Sequence, residues 1–346
     1  MKVAIVTDTH FGARGDSLAF SQYFKKFFEK VFWPTVFERC EHVLHLGDLV
    51  DRRKYINFNS CYEMGQAFIK PAHEMGWKMT ILAGNHDAYF KNTLRVNAVR
   101  ELVPSASQFT VIDYPTPFTI DPRQPDVLLV PWICDDNRAQ CEKLVTQSTL
   151  PVCMGHLEFT GFEMYRGQVM DHGADPAPFS KFRQVFSGHY HHRSSKGNIH
   201  YLGAPYEMTW GDYDDPRGFH IWDTESGELE FIENPYKMHK KVHYEPGLAV
   251  PDVRDSIVKV ILPANRDPFR TDAFITALET QGVADLKAVE DHLNLDVVSA
   301  EEVVADSDTL DIIRDCVNDI KACSVDKGLL TGLLVNLYKE AQLARE

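Results

Sequence analysis

The sequence predicts a layered α/β fold, and three observations lead to that prediction. First, short apolar runs are each followed at once by a polar turn, as Lys2–Val6 is followed by Thr7-Asp8. Such runs are typical of strands buried on both faces of a sheet. Second, broad apolar stripes at helical spacing separate several of these runs. Third, a chain of 346 residues can bury a large core and is expected to form two or three domains.

Four further runs repeat this pattern and end in turns that hold Asp, Asn or His. They are His42–Leu46 before Gly47-Asp48, Met79–Ala83 before Gly84-Asn85, Pro151–Met154 before Gly155-His156, and Gln184–Ser187 before Gly188-His189. Additional strands are predicted at Val127–Pro131, Asn198–Leu202, Gly218–Asp223 and Leu229–Glu233.

Two long helices are predicted in the first quarter of the chain. Asp16 is a candidate cap for the first, and the second extends from Asn57 to Met75. The stripe of the first is too wide for a surface helix, so it should be buried under the sheet, with a dimer interface as the alternative. That stripe comprises Leu18, Phe20, Tyr23, Phe24, Phe27, Phe28, Val31 and Phe32.

The five turns supply seven candidate metal ligands, and none is a thiolate. Residues at the carboxyl ends of parallel strands converge on one crevice, and oxygen and imidazole donors suit manganese, iron, zinc or magnesium. Seven donors are too many for one ion, whereas two ions that share Asp48 would use them all and could activate water for phosphoryl chemistry. The candidates are Asp8, His10, Asp48, Asn85, His156, His189 and His191.

Each of these turns has a simpler interpretation when it is considered alone. A single Asp-x-His is usually a turn beside a helix cap, and a single Gly-His is usually a loop histidine. Five such turns, each after a strand, favour a metal site. Histidines without that support are predicted to be structural or, for His172, to lie in a surface loop; the structural ones are His42, His45, His192 and His200.

The order Asp8-x-His10, Gly47-Asp48-x-x-Asp51, Gly84-Asn85-His86-Asp87, Gly155-His156 and Gly188-His189-x-His191 resembles the signature of calcineurin-like metallophosphoesterases. Tyr201–Pro205 and Asp215–Phe219 are similar to the segment that closes the catalytic domain of SbcD-type DNA repair nucleases, especially their phage-encoded branch. The resemblance covers about the first 235 residues.

The resemblance implies a four-layer α/β/β/α sandwich and a division of labour among the ligands. One metal would take Asp8, His10, Asp48 and His191, and the other Asp48, Asn85, His156 and His189. The ions would be Mn²⁺, with Mg²⁺ as the alternative. His86 would protonate the leaving oxygen or stabilise the transition state, and Asp51 stands where related phosphatases have the carboxylate that orients this histidine. Many SbcD relatives have histidine at that position.

The implied function is that of a DNA exonuclease with endonuclease activity, the nuclease subunit of an SbcCD-like ATP-driven complex in recombination, repair and replication. Three alternatives stay open. A phosphoprotein phosphatase is suggested by Gly47–Arg52, although Arg53 replaces the glycine of that pattern. A small-molecule phosphodiesterase would need no additional domain, and a non-catalytic scaffold would be expected to lack some ligands, whereas all seven are present.

Three domains are expected: residues 1–237 as the nuclease domain, 238–304 as a small α/β capping domain that binds DNA, and 305–346 as a helical tail. The capping unit is predicted from a strand at Ser256–Pro263, a helix at Asp272–Thr280 and a strand at Asp285–Val289. By the resemblance, the tail would dock on the coiled coil of an SbcC-type ATPase, and the protein would be a homodimer within a heterotetramer.

Charge and cysteine content narrow the expected setting. The net charge of −14 argues against a protein that holds DNA by overall charge alone. Residues 241–346 are acidic, with 11 Lys and Arg against 20 Asp and Glu. Phosphate contacts are therefore expected from basic residues that flank the metal turns, Arg52, Arg53 and Arg193.

Seven cysteines without paired spacing suit a reducing compartment. No membrane span or signal pattern is expected, and a cytoplasmic location is predicted, in the host if the protein is phage-encoded.

Overall fold

The structure is a computed structural model that describes residues 1–120, 127–263 and 265–290, together with seven isolated positions between 317 and 334. The chain divides into two compact units, residues 1–293 and 294–346. Where it is described, the second unit is helical. The predicted tail at 305–346 otherwise lies outside the described residues, as does the predicted capping domain beyond residue 290.

The first unit is built around β-strands, which are short and mostly buried in its centre. In chain order they are β1 (Lys2–Val6), β2 (His42–His45), β3 (Lys78–Leu82), β4 (Ala88–Phe90), β5 (Thr93–Asn97), β6 (Phe109–Ile112), β7 (Thr116–Phe118), β8 (Val127–Val130), β9 (Val152–His156), β10 (Glu163–Tyr165), β11 (Gln168–Val169), β12 (Gln184–Gly188), β13 (Ser194–Lys196), β14 (Ile199–Tyr201), β15 (Gly218–Asp223), β16 (Leu229–Glu233), β17 (His239–His243), β18 (Ile257–Leu262) and β19 (Asp285–Glu290).

Two six-stranded sheets form the middle layers. One has the order β16-β15-β1-β2-β3-β6 and the other β13-β14-β12-β9-β8-β7. Their facing sides share one apolar cluster that includes Ile5 and Leu44 from the first sheet and Met154 and Phe186 from the second. Helices cover the outer faces, so the four-layer α/β/β/α architecture predicted for this chain is confirmed.

A nearly continuous helical segment covers the outer face of the first sheet. It runs through Leu18–Phe27, a π-helical turn at Phe28–Phe32 and Trp33–Arg39. The phenylalanines of its apolar stripe are buried against the sheet, whereas Leu18 is 64% exposed. The prediction that this stripe belongs to the core is therefore correct for its phenylalanines.

Asp16 does not cap this helix, contrary to the prediction. Its backbone is left-handed (φ 61°), and its carboxylate accepts hydrogen bonds from Ser60 Oγ at 2.7 Å and Arg52 Nη1 at 3.0 Å. Ser17 stands at the N-cap position without a side-chain cap bond. The carboxylate thus joins the loop after β1 to the loop after β2, because both loops end at the same edge of the sheet.

The second predicted helix spans Phe58–Met64, a π-helical turn at Gly65–Ile69 and Lys70–Glu74, with Asn57 as its N-cap. A shorter helix, Ala98–Leu102, is capped by Asn97. The outer face of the second sheet is covered by Arg138–Gln147 together with the segment around Phe159 and Phe179. No helix among the described residues is long and apolar enough to cross a membrane.

A three-stranded parallel sheet, in the order β17-β18-β19, follows the two large sheets. Helix Pro268–Glu279 connects its last two strands, and Asp267 caps that helix through the amides of Phe269 and Arg270. The sheet and the helix share a separate apolar cluster that includes Val258, Val260, Phe274 and Leu278. The described part of the region therefore contains the strand–helix–strand pattern that the sequence predicted.

Candidate metal centre

All five polar turns of the sequence analysis lie at carboxyl ends of parallel strands. β1, β2 and β3 are parallel neighbours in the first sheet, and β9 and β12 are parallel neighbours in the second. Because the two sheets pack face to face, the residues that follow these strands meet at one edge of the sandwich. This edge carries the candidate centre.

The backbone is strained at this edge. Eight described residues other than glycine have positive φ, and four of them are candidate ligands: Asp8 at 53°, His10 at 41°, Asp48 at 57° and His189 at 88°. Left-handed backbone is unfavourable for residues with a Cβ and persists where surrounding structure enforces it, often at functional sites. The fold thus uses strained turns to aim these side chains inward.

Gly84 and Gly188 are needed because two segments of the chain approach each other closely at these positions. A Cβ on Gly84 would lie 2.2 Å from Asp48 Oδ1, and one on Gly188 would lie 2.0 Å from Thr7 Oγ1. No larger residue fits at either position without moving the neighbouring turn. The glycine in the signature turns is therefore explained by packing between strand ends.

One group of donors consists of Asp8, His10 and His191, with Asp48 beside it. His10 Nε2 lies 3.0 Å from His191 Nε2 and 3.6 Å from Asp48 Oδ2. His191 Nε2 lies 4.0 Å from Asp8 Oδ1. These four side chains form the first of the two ligand sets that the resemblance implied.

The second group consists of Asn85, His156 and His189, again with Asp48 beside it. Asn85 Oδ1 lies 2.8 Å from His156 Nε2 and 3.0 Å from His189 Nδ1. His156 Nε2 lies 3.3 Å from Asp48 Oδ2. The same oxygen of Asp48 thus faces both groups, while its other oxygen accepts a hydrogen bond from the amide of His86 at 2.8 Å.

The donor spacing fits divalent cations. Two ligands at about 2.1 Å from one ion and at right angles are separated by about 3.0 Å, and several donor pairs here lie 2.8–3.0 Å apart. The donors are carboxylate, amide and imidazole, all buried or partly buried. This set matches the hard and borderline ions that the sequence indicated.

A hydrogen bond behind His156 and a carboxylate contact behind His10 favour the ring orientation that a ligand needs. His156 Nδ1 lies 2.8 Å from the carbonyl oxygen of Leu46, so Nδ1 carries a proton and Nε2 is the atom that would bind a metal. His10 Nδ1 lies 3.5 Å from the carboxylate of Asp51. Such partners set the tautomer and increase the basicity of metal-binding histidines.

The carboxylates and histidines of the centre shift one another's pKa values. Burial favours neutral Asp48, but His156, His86 and His10 lower its pKa well below the ordinary value. Burial opposes protonation of His10, but the carboxylates of Asp51 and Asp48 raise its pKa to about 9. The pKa of His156 is likewise raised to about 9, because Asp48 outweighs burial. At neutral pH, two imidazolium cations thus neutralise the carboxylates where metal ions would do so.

Metal binding at this centre should therefore release protons and strengthen with pH. A ligand nitrogen must be unprotonated, and the pKa values of His10 and His156 near 9 mean that protons compete with metal below that pH. Raising the pH from 7 toward about 9 should increase the apparent affinity by roughly tenfold per pH unit for each proton displaced. Titration calorimetry in buffers of different ionisation enthalpy measures the released protons. An affinity independent of pH over this range would contradict the assignment of these two ligands.

His86 lies beside the first donor group, with a ring nitrogen within 4.8 Å of donor atoms of His10 and Asp48. Its ring lies edge-on to that of His10 with centroids 4.7 Å apart, and its Nδ1 lies 2.6 Å from the carbonyl oxygen of Asp51. In that contact Nδ1 carries a proton and donates a hydrogen bond to the carbonyl oxygen, which leaves Nε2 available to the centre. The ring is partly buried, so a substrate can reach it.

Asp51 contacts His86 differently from what the resemblance implied. The backbone carbonyl of Asp51, and not its carboxylate, accepts the bond from His86. The carboxylate lies beside His10, which lowers its pKa against the effect of burial. In this structure Asp51 orients two histidines, one through each of its oxygen-bearing groups.

The three arginines predicted to contact DNA all have partners within the chain. Arg52 binds Asp16 and lies over the ring of Tyr55. Arg53 lies over Trp132 at 5.0 Å from the ring centroid, and Arg193 over Phe231 at 4.1 Å. Arg52 and Arg53 follow Asp51 directly in the chain, whereas Arg193 packs on Phe231 of β16.

Asp87 organises the centre and was not among the predicted site residues. Its buried carboxylate accepts hydrogen bonds from the amides of Asp48, Leu49, Val50 and Gly84, at 2.8–3.1 Å. This arrangement holds the turn after β2 against the turn after β3. The only sequence signal for this role was its place at the end of Gly84-Asn85-His86-Asp87.

A buried arginine holds the turn that carries His191. Arg217 is 2% exposed and donates to the carbonyl oxygen of His191 and, at 2.7 Å each, to the carboxylates of Asp212 and Asp215. Asp215 also accepts a hydrogen bond from His192 at 2.8 Å. Arg217 is thus a positioning residue for a metal ligand, which the sequence indicated only as part of a family segment.

Comparisons with known proteins agree with this geometry. The family model described as calcineurin-like phosphoesterase matches residues 1–193. Exonuclease subunit 1 of Enterobacteria phage T4 is 34% identical over 201 residues, and the match covers 58% of this chain and 58% of that relative. A solved structure described as a novel archaeal phosphodiesterase is 14% identical, with a TM-score of 0.35 over 68% of this chain and 100% of its own. That last likeness is too weak to bear on fold or function.

Proposed function

Because the chain belongs to the calcineurin-like phosphoesterase family, we propose that it is a metal-dependent nuclease that hydrolyses DNA phosphodiesters. The family assignment makes it a hydrolase of phosphate esters that uses divalent metals. DNA as the substrate is supported by its similarity to a phage exonuclease subunit. One observation carries the two-metal arrangement: Asp48 Oδ2 lies 3.6 Å from His10 Nε2 and 3.3 Å from His156 Nε2, between the two donor groups.

Seven side chains would hold the two ions, as the resemblance implied. Asp8, His10 and His191 serve one position, Asn85, His156 and His189 serve the other, and Asp48 is shared. Two such ions, when bound, would supply an activated water nucleophile and neutralise the charge of the phosphodiester. We assign Mn²⁺ as the preferred ion, since imidazoles form more than half of the donor set and favour borderline ions over Mg²⁺.

His86 supplies the proton for the leaving oxygen. Nδ1 donates a hydrogen bond to the carbonyl of Asp51 at 2.6 Å, so the doubly protonated ring would transfer the proton of Nε2 to the leaving oxygen and remain as the neutral imidazole. A group in this position must lie within hydrogen-bonding distance of the leaving oxygen. The contact with Asp51 fixes the ring plane, and the neighbouring His10 ring limits its rotation.

An assay on end-labelled DNA tests the proposed substrate. With Mn²⁺ the full chain should shorten single-stranded or duplex DNA from an end and should also cut circular single strands, and Mg²⁺ should support a lower rate. Chelation should stop both reactions. Hydrolysis of a phosphopeptide with no cleavage of DNA would favour a phosphoprotein phosphatase, and hydrolysis of small diesters alone would favour a small-molecule phosphodiesterase.

The proposed setting is a complex in DNA recombination, repair and replication. The relative is named as a subunit, which indicates that it has partners. Because this chain spans 58% of that relative's length, the same kind of partner is part of the proposal for this chain. We assign residues 238–304 to DNA binding and 305–346 to an SbcC-type ATPase, with two copies of each subunit. Co-purification with such an ATPase that persists after removal of residues 305–346 would contradict the tail assignment.

A further inference from the structure

A short hairpin, β4 and β5, begins two residues after His86 and is rigidly attached to the fold. At its base, the amide of Ala98 donates to the carbonyl of Asp87 at 2.7 Å. Near its tip, the amide of Asp136 donates to the carbonyl of Asn92 at 3.0 Å, and Thr93 Oγ1 donates to the Asp136 carboxylate at 2.7 Å. The hairpin is therefore a fixed element next to the metal centre.

Two aromatic side chains stand exposed on this hairpin and touch each other. Tyr89 is 41% exposed and Phe90 is 40% exposed, and their ring centroids lie 4.7 Å apart in an edge-to-face arrangement. Successive side chains of a regular strand point to opposite faces. The register between β4 and β5 shifts between Ala88 and Phe90, and such a bulge re-aims a side chain, often beside an active site. The irregularity accounts for two neighbouring aromatics that share one exposed side.

The charge of the hairpin differs from that of the chain. Residues 88–97 contain Lys91 and Arg95 and no acidic residue, whereas the whole chain has a net charge of −14. Both basic side chains are exposed. Exposed aromatic rings interleaved with cations are the combination with which proteins bind single-stranded nucleic acid, by stacking on bases and contacting phosphates.

We propose that Tyr89 and Phe90 form a stacking platform for a nucleobase of the substrate strand, next to the phosphodiester that is cut. The inference rests on the proposed function and adds a base-binding position to it. A chain covers at most about 3.6 Å per residue, so the Cα atoms of Tyr89 and His86 are within roughly 11 Å of each other. That span corresponds to about three stacked nucleotides. Because every base has an aromatic face, the platform binds the strand without sequence preference.

A comparison of two labelled strands tests this platform. The Mn²⁺-loaded full chain is titrated with an oligothymidylate of about 12 nucleotides and with an abasic strand of equal length, both with phosphorothioate linkages to slow hydrolysis. Fluorescence anisotropy should show tighter binding of the strand with bases. Tyr89→Ala with Phe90→Ala should weaken that binding by about 5- to 100-fold and leave the abasic strand unaffected.

Three variants serve as controls. Tyr89→Trp should retain the preference for bases, because its larger ring also stacks. Lys91→Gln should weaken both strands alike, since it removes only a phosphate contact. Tyr62→Ala removes an aromatic that is 61% exposed on another element, the helix Phe58–Met64, and should change nothing.

The outcomes separate the platform from the proposed function. If the unmodified chain binds both strands equally, or if the double variant keeps its preference for bases, the platform is overturned and the nuclease proposal stands. If the unmodified chain binds neither strand, DNA is not its ligand and both proposals fail.

Discussion

Replacing Asp48 by Asn is expected to empty both metal positions and to lower the rate of phosphodiester hydrolysis by at least about 10³-fold. Asp48 Oδ2 is the oxygen that lies 3.6 Å from His10 Nε2 and 3.3 Å from His156 Nε2. Loss of its negative charge removes the ligand that the two donor groups share. Metal analysis of Mn²⁺-loaded protein should fall from two ions per chain to none.

Asparagine is the informative substitution because it leaves the turn intact. The backbone at Asp48 is left-handed (φ 57°), a conformation that asparagine tolerates better than alanine. Its Oδ1 can still accept the hydrogen bond that the amide of His86 donates at 2.8 Å. Thermal unfolding of the metal-free variant should therefore stay close to that of the metal-free parent.

Asp51→Asn provides the matched control. The Asp51 carboxylate is more exposed than that of Asp48 and contacts only the outer side of the ligand His10. The Asp51 carboxylate lies 3.5 Å from His10 Nδ1, so its loss should weaken metal binding by about 10- to 100-fold without removing a ligand. Two ions retained in Asp48→Asn at ordinary metal concentrations would show that Asp48 is not the shared ligand.

The sandwich and the location of the metal centre could be predicted because both follow from burial. Strands covered on both faces must be apolar throughout, so runs such as Val127–Val130 stand out in the sequence. Ligands placed directly after such strands must converge where parallel strands end. The phenylalanines of the Leu18–Phe27 helix were placed in the core by the width of their stripe.

What the sequence did not reveal depends on backbone angles and long-range contacts. The sequence does not indicate that the carbonyl of Asp51, rather than its carboxylate, accepts the hydrogen bond from His86. The four amides on Asp87 come from two turns that are distant in sequence. The sequence indicated Arg217 only as part of the Asp215–Phe219 segment, and not that its side chain is buried between two carboxylates.

The sequence analysis does not predict the hairpin β4–β5, and the reason is a different one. Its strands are short and half exposed, and the shifted register breaks the alternation by which a strand is recognised. The prediction that Asp16 caps a helix is wrong for a related reason. A carboxylate before a helix has the same sequence signature whether it caps the helix or accepts a hydrogen bond from Ser60.

Replacing His86 by Asn is expected to lower the rate of DNA cleavage by about 10²- to 10⁴-fold while both metals stay bound. The amide nitrogen of asparagine can take the place of Nδ1, which donates to the carbonyl of Asp51 at 2.6 Å in the parent. Only the Nε2 position, and with it the transferable proton, is lost. Metal stoichiometry and DNA affinity should therefore remain near those of the parent.

The leaving group distinguishes proton donation from positioning in this variant. Cleavage of DNA expels an alkoxide that needs a proton, whereas a p-nitrophenyl phosphodiester expels a weakly basic phenolate that does not. If His86 is the acid, the defect of His86→Asn should be large on DNA and should shrink toward parity on the nitrophenyl ester. Equal defects on both substrates would assign the histidine a positioning role. Loss of one ion would instead make His86 a ligand, which its proximity to His10 and Asp48, with donor atoms within 4.8 Å, would then explain.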